Sequence, residues 1–209
     1  LSSSSAASDV YKRQSTYSAR DIFPAGFTPQ MFGEVDDRSI VAGLRGEWNN
    51  GLTYDFSIRN GESEIEYNLF NTLNPSMGDQ SPTQFHLGNL VNEETQFQAD
   101  FTYELDSGAV LAFGASFLDE EYNILGGEPD SHLPGIYGAP DPHGFCDGDT
   151  ATATGAGVIA GGSTLNCADS SDPVYYTGDV GSNGFPGFPP EFSQSYGREA
   201  TSIYADLSH

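Results

Sequence analysis

The 209-residue sequence predicts an all-β fold: about five antiparallel strands forming part of a transmembrane β-barrel with long extracellular loops. Three observations carry that expectation. Apolar and polar residues alternate with period two, short and long connections alternate strictly between the runs, and the face opposite each apolar stripe is polar or small.

The first run spans Arg38 to Trp48, with Ile40, Ala42, Leu44, Gly46 and Trp48 on one face and Val41, Gly43, Arg45 and Glu47 on the other. Asn49, Asn50 and Gly51 suit the positive φ of a tight hairpin. Alternation resumes with Leu52, Tyr54, Phe56 and Ile58 against Thr53, Asp55, Ser57 and Arg59, and continues to Ile65 and Tyr67. The third run sets Phe97, Ala99, Phe101, Tyr103 and Leu105 against Gln96, Gln98, Asp100, Thr102 and Glu104. After the turn Asp106-Ser107-Gly108, a fourth run places Ala109, Leu111, Phe113, Ala115 and Phe117 opposite Val110, Ala112, Gly114 and Ser116. A fifth begins near Arg198, where Thr201, Ile203, Ala205 and Leu207 alternate with Ser202, Tyr204 and Asp206.

The remaining connections, 68–94 and 126–197, are long, polar and rich in Gly, Pro, Ser and Asn. A structureless loop of about seventy residues argues against a compact soluble domain, whereas short turns on one side and long loops on the other are usual in an outer-membrane barrel. Trp48, Tyr54 and Tyr103 fall near the turn ends of their strands, where an interfacial aromatic girdle would lie. The alternative is a soluble all-β sandwich with its apolar faces packed together. Periodicity alone fits both; the loop asymmetry and polar second face favour the barrel.

Composition narrows the function classes. Seven Lys plus Arg stand against 30 Asp plus Glu, a formal charge of −23. No basic surface for phosphate neutralisation can be assembled, so no nucleic-acid partner is expected. Aromatic residues make up 12% of the chain, too many for a plain acidic disordered tail. No apolar run approaches the roughly 18 to 20 residues of a spanning helix, which leaves strand crossings of about 9 to 11 residues open.

Residues 4–14, SSAASDVYKRQ, resemble a translated sequencing adapter, and 1–14 are set aside as a non-native tail. Without them five arginines face 29 acids, a net −24. The start carries no charged region followed by an apolar stretch, so 15–209 is read as a segment of a longer protein.

Several stretches together resemble the barrel of the TonB-dependent outer-membrane receptor family. They are NTLNPSMGDQSPTQFHLGNL (Asn71–Leu90), QADFTYEL and AVLAFGASFLDEEYNILGGEP, GFPGFPPE (Gly184–Glu191) and REATSIYADL (Arg198–Leu207). The resemblance covers most of 38–128 and 184–207. It implies non-enzymatic capture and active uptake of a large nutrient of the siderophore, vitamin or oligosaccharide class. The implied partners are the extracellular ligand, outer-membrane lipid and the TonB energy-transducing complex, the last reached through a plug domain. The family's barrel has 22 strands around an N-terminal plug; this sequence carries neither plug nor TonB box, so their ligand contacts have no matching positions.

Cys146 and Cys167, with twenty residues between them in the long loop, are the only cysteines. In an oxidising exported compartment a disulfide is expected, worth about 3 kcal/mol. CxxC spacing is absent and His143 is a single nearby imidazole, which disfavours a closed zinc site. Acidic clusters at Asp119, Glu120 and Glu121 and at Asp147, Asp149, Asp169 and Asp172 lack the calcium-loop pattern and are read as solvated surface, with weak Ca²⁺ binding as the alternative. His86, His132, His143 and His209 stand alone, with no serine elbow and no metal-binding pair, so no catalytic residue and no cofactor is expected. Arg45, Asp55, Arg59, Asp100 and Glu104 project from the polar strand faces and are the lumen-facing candidates, either paired with the plug or lining the ligand's path. The competing readings are a secreted acidic β-sandwich serving as a binding or adhesin module and, more weakly, a secreted carbohydrate-active enzyme.

Overall fold

A computed structural model of the chain describes residues 19–208; the adapter-like tail at 1–14 and His209 lie outside the described residues. The architecture is all-β. Strands β1 (Gln30–Glu47), β2 (Thr53–Phe70), β3 (Gln84–Glu104) and β4 (Val110–Gly126) follow one another along the chain. Within the long connection, β5 (Cys146–Asp147) and β6 (Thr150–Ala151) make a separate small hairpin ahead of helix α1 (Ala153–Ala160), and β7 (Ser195–Ser208) comes last. The main sheet is open, in the order β1-β2-β3-β4-β7, with β1 and β7 as its edges.

Both tight turns have one geometry. Trp48 N–H donates to Leu52 O and Gly51 N–H to Trp48 O, each at 2.9 Å, and Leu105 and Gly108 repeat the pattern with Ala109 and Leu105 at 2.8 Å. Gly51 (φ 79°) and Gly108 (φ 84°) supply the left-handed residue that a three-residue hairpin with a glycine bulge requires. β7 then pairs antiparallel with β4 from Val110↔Ser208 to Asn123↔Ser195.

The strands outrun the alternating segments. β1 has 18 residues and β3 has 21, about 60 and 70 Å at 3.3 Å per residue. The connection expected over 68–94 shortens to 71–83, and the later one to 127–194. In these prolongations the apolar residues, Met31, Phe32 and Val35 in β1 and Phe85, Leu87, Leu90 and Val91 in β3, do not keep the phase of the band, so its period does not run through them; the backbone ladder, which is indifferent to side-chain polarity, sustains the strand.

The chain divides into two compact units. One comprises Gly33–Glu66, Asn89–Leu125 and Pro190–His209, described to Ser208, and contains most of the sheet. The other comprises Leu1–Phe32, described from Ala19, with Tyr67–Gly88 and Gly126–Pro189. The two differ in what they bury. Among the described residues the sheet unit buries only Val91 and Ala109 of its apolar side chains. The loop unit has a core of Leu69, Phe85 and Leu87 under Tyr67, and a buried polar set of Thr72, Asn74, Ser76, Ser81, Ser131 and Ser182.

A one-residue slip in β3 accompanies this difference. Asn60 bonds Thr95 and Glu64 bonds Asn89, so even positions of β2 share a face with odd positions of β3. Leu69 of β2, an odd position, nevertheless packs with Phe85 and Leu87. Gly88, at φ 125°, lies between the two registers and serves as a bulge that turns the side chains over.

Polar contacts order the long connection. Asn74, fully buried, donates from its amide to Asp130 O and Leu133 O at 2.9 Å each and accepts from Ser76 and Gly181. Thr72 donates to Asn183 O, and Ser182 and Gly187 N–H groups both reach Ser131 O. Cys146 and Cys167 are joined by a disulfide that ties β5 to the segment after α1.

Candidate functional site

One face of the sheet carries an uncovered apolar band. Ile40, Ala42, Leu44, Phe56, Ile58, Phe97, Ala99, Ala115 and Phe117 lie on it, and the β4–β7 register adds Leu207, Ala205, Ile203 and Thr201 opposite Leu111, Phe113, Ala115 and Phe117. Ile203 is 83% exposed and Ile40 is 71% exposed. From Ile40 to Trp48 the band runs nine residues, about 26 Å along the strand and about 20 Å across a membrane at 40° tilt.

Aromatic rings close the turn end of this band. Trp48 packs on Tyr54 at 4.6 Å between centroids and lies 6.2 Å from Phe101, which stacks on Phe113 at 5.1 Å. Gly46 makes room for the phenol: a Cβ there would lie 2.5 Å from Tyr54 Oη. Tyr103 and Leu105, both partly exposed, continue the row. The structure therefore brings the girdle candidates Trp48 and Tyr54 into contact and places Tyr103 on the same face.

The opposite end of the same face is charged. Beyond Ile40, Ile58, Phe97 and Phe117 come Arg38, paired with Glu62, and then Asn60, Glu93, Thr95, Asp119 and Glu121. Asp119 and Glu121 thus separate from Glu120, which projects from the other face and pairs with Arg198. Among the described residues no group of three His, Cys, Asp or Glu side chains is placed to hold a metal ion.

The lumen-facing candidates share the second face but do not converge. Arg59 pairs with Glu94 at 2.9 Å. Asp100 accepts from Tyr204 Oη at 2.9 Å and from Gln98 at 2.7 Å. Arg45, Asp55 and Glu104 are exposed and enter none of the ion pairs formed among the described residues. The Thr53 and Thr102 hydroxyls also meet on this face. Sequence reasoning missed Glu94 and the pairings of Glu120 with Arg198 and of Asp100 with Tyr204; only the strand register, which alternation leaves free, would have found them.

In the loop unit three acidic residues, Asp141, Asp169 and Asp172, are structural. Asp172 caps Val174 N–H and accepts from Asn166 N–H, each at 2.9 Å, and Asp141, at φ 47°, accepts from the Phe145 and Cys146 N–H groups at 2.8 Å. The Ser171 hydroxyl and N–H hold Asp169 below the usual carboxylate range. His143 is exposed between the rings of Tyr137 and Phe145, at 5.7 and 5.3 Å. A second aromatic series, Tyr67, Phe188 and Phe185, rises from the apolar core, and the motif GFPGFPPE contains two of its rings. No family model, curated protein or solved structure matches the chain.

Proposed function

We propose that the chain forms part of the barrel wall of a TonB-dependent outer-membrane receptor, a non-enzymatic protein that captures a large extracellular nutrient for uptake. In this reading TonB supplies the energy through a plug domain, and the polar sheet face meets the lumen. The carrying observation is the continuous, uncovered apolar face, bounded by aromatic rings at the turns and by charged side chains at the far end. Such a face has the edges of a barrel's lipid-exposed surface and, at about 20 Å, approaches the roughly 25 Å of its apolar band. A sandwich, in contrast, would cover it with a second sheet. The only other sheet among the described residues is the two-residue pairing of β5 with β6. On this reading the turns 49–51 and 106–108 are periplasmic, and the connections 71–83 and 127–194 are extracellular.

Trp48, the single tryptophan, tests the reading. With the protein in vesicles of brominated phospholipid, its emission should be quenched more by bromine near the headgroup than by bromine near the chain end. Emission quenched by acrylamide and indifferent to every brominated lipid would overturn the membrane placement.

A further inference from the structure

Residues 60–197 contain no Lys and no Arg. The connection 127–194 alone carries nine carboxylates and neither basic residue. A ligand bearing phosphate, sulfate or carboxylate would find there no cation to pair with and a repulsive field to cross. Any ligand recognised by this surface is therefore uncharged or cationic.

On this acidic surface one exposed aromatic ring is held by its backbone hydrogen bonds and by the rings beneath it. Phe185 is 40% exposed. Its carbonyl accepts from Ser182 Oγ at 2.7 Å, and the residues after it are fixed by Gly187 N–H to Ser131 O (3.2 Å), Phe188 N–H to Leu87 O (2.8 Å) and Gly127 N–H to Phe188 O (3.0 Å). Gly184, at φ 107°, sets up the turn, and Gly187 lies so close to Ser131 that no side chain fits. Phe185 meets Phe188 edge to face at 6.3 Å, and Phe188 meets Tyr67 the same way at 6.4 Å. Tyr67 rests on the Leu69, Phe85 and Leu87 core. The exposed ring is thus the outer end of a fixed aromatic column, and ordering it on binding costs little.

We propose that Phe185 is the stacking platform for an uncharged pyranoside, and that the base-free loops around it reject anionic ligands. The proposal rests on the receptor reading above and narrows its ligand class. The apolar C–H face of a pyranose fits a phenyl ring, and its hydroxyls suit a surface rich in Ser, Thr, Asn and carboxylate acceptors. A ferric complex carrying net negative charge does not fit.

The test is calorimetric titration of the detergent-solubilised receptor with maltohexaose, cellohexaose and xylohexaose as neutral probes and with an oligogalacturonate of similar length as the anionic one. We expect at least one neutral probe to bind and the galacturonate not to. Phe185→Leu, which keeps apolar volume without a ring, should weaken binding about tenfold, while Phe185→Trp retains it. Unchanged protection of the 181–188 amides in Phe185→Leu would exclude misfolding as the cause. Binding of the galacturonate, binding of none of the neutral probes, or wild-type affinity in Phe185→Leu would each overturn the proposal. Trp48 quenching, measured in parallel, separates the two readings. A lipid-facing Trp48 with no sugar binding sinks the ligand assignment alone, and sugar binding with a water-exposed Trp48 sinks the membrane placement alone.

Discussion

Replacing Asn74 by Ala should loosen the long connection by about 4 kcal/mol. The wild-type side chain donates to Asp130 O and Leu133 O and accepts from Ser76 N–H, Ser76 Oγ and Gly181 N–H. Ser76 N–H has a second acceptor in Asp179 O at 3.2 Å, which leaves four bonds without replacement. At about 1 kcal/mol for each neutral buried bond, the total is about 4 kcal/mol. The loss is local, so it belongs in amide exchange of the folded protein rather than in a global melt. Peptides covering 74–81, 130–138 and 178–188 should exchange about a thousandfold faster in the EX2 regime, at 1.4 kcal/mol per factor of ten. Asn74→Asp separates hydrogen bonding from volume: it is isosteric, but sets a buried carboxylate against two carbonyls and should cost at least as much. A rise below tenfold in Asn74→Ala, or full tolerance of Asn74→Asp, would refute the claim that this amide staples three segments together.

Other perturbations address the remaining claims. Ile203→Arg, near mid-band and 83% exposed, should cost about 2–4 kcal/mol in urea unfolding from phospholipid vesicles; a change under about 0.5 kcal/mol, typical of a water-facing site, would contradict a lipid-facing wall. In intact cells a membrane-impermeant thiol reagent should label a cysteine introduced at Ser163 and spare one at Asn50, and labelling of Asn50 alone would invert the topology. Burial, helped by Asp141, Asp149 and Asp172, raises Tyr175, whose hydroxyl donates to Cys167 O at 2.7 Å. The protonated phenol is favoured in the fold, so its contribution is fully present below the unfolded value of 10.0 and falls as pH rises through the folded one. Tyrosinate absorbance should therefore show a late-titrating component whose amplitude falls by one phenol in Tyr175→Phe.

What the sequence made legible follows from where apolar residues are needed. Ile40 to Trp48, Leu52 to Ile58, Phe97 to Leu105, Ala109 to Phe117 and Thr201 to Leu207 alternate because one face is apolar, and all of them lie in strands or at strand ends. Gln30 to Asp37 and Gln84 to Gln96 belong to the same strands, yet Met31, Phe32 and Val35 fall on both faces and Phe85 and Leu87 lose phase to Leu90 and Val91, so no single period runs through them. The Gly88 bulge was hidden for a related reason: a lone glycine between Leu87 and Asn89 does not announce a slip of register. Order in the long connection was hidden most completely. It depends on Asn74, Ser131 and Ser182, residue types that composition assigns to loops. Of the site, Arg59 was legible as a charge but its partner Glu94 was not, because cross-strand pairing depends on a register that only the fold supplies.

In the proposed placement the position of the sheet along the membrane normal is fixed from both ends. Moving it two residues toward the periplasm would draw Arg38, Asn60, Thr95 and Asp119 into hydrocarbon from the outer side. Each charged group carried to mid-membrane costs about 2–4 kcal/mol, less near the interface, so even a shallow displacement accumulates a penalty across neighbouring strands. Moving it the other way would pull Trp48, Tyr54 and Tyr103 out of the inner interface and put the Asn49 and Asp106 turns into the apolar layer. The prolongations of β1 to β4 then stand outside the membrane, where water satisfies their many polar side chains. The loop unit has apolar contacts of its own, where Leu69, Phe85 and Leu87 pack with Tyr67, so it does not draw on the band for its core.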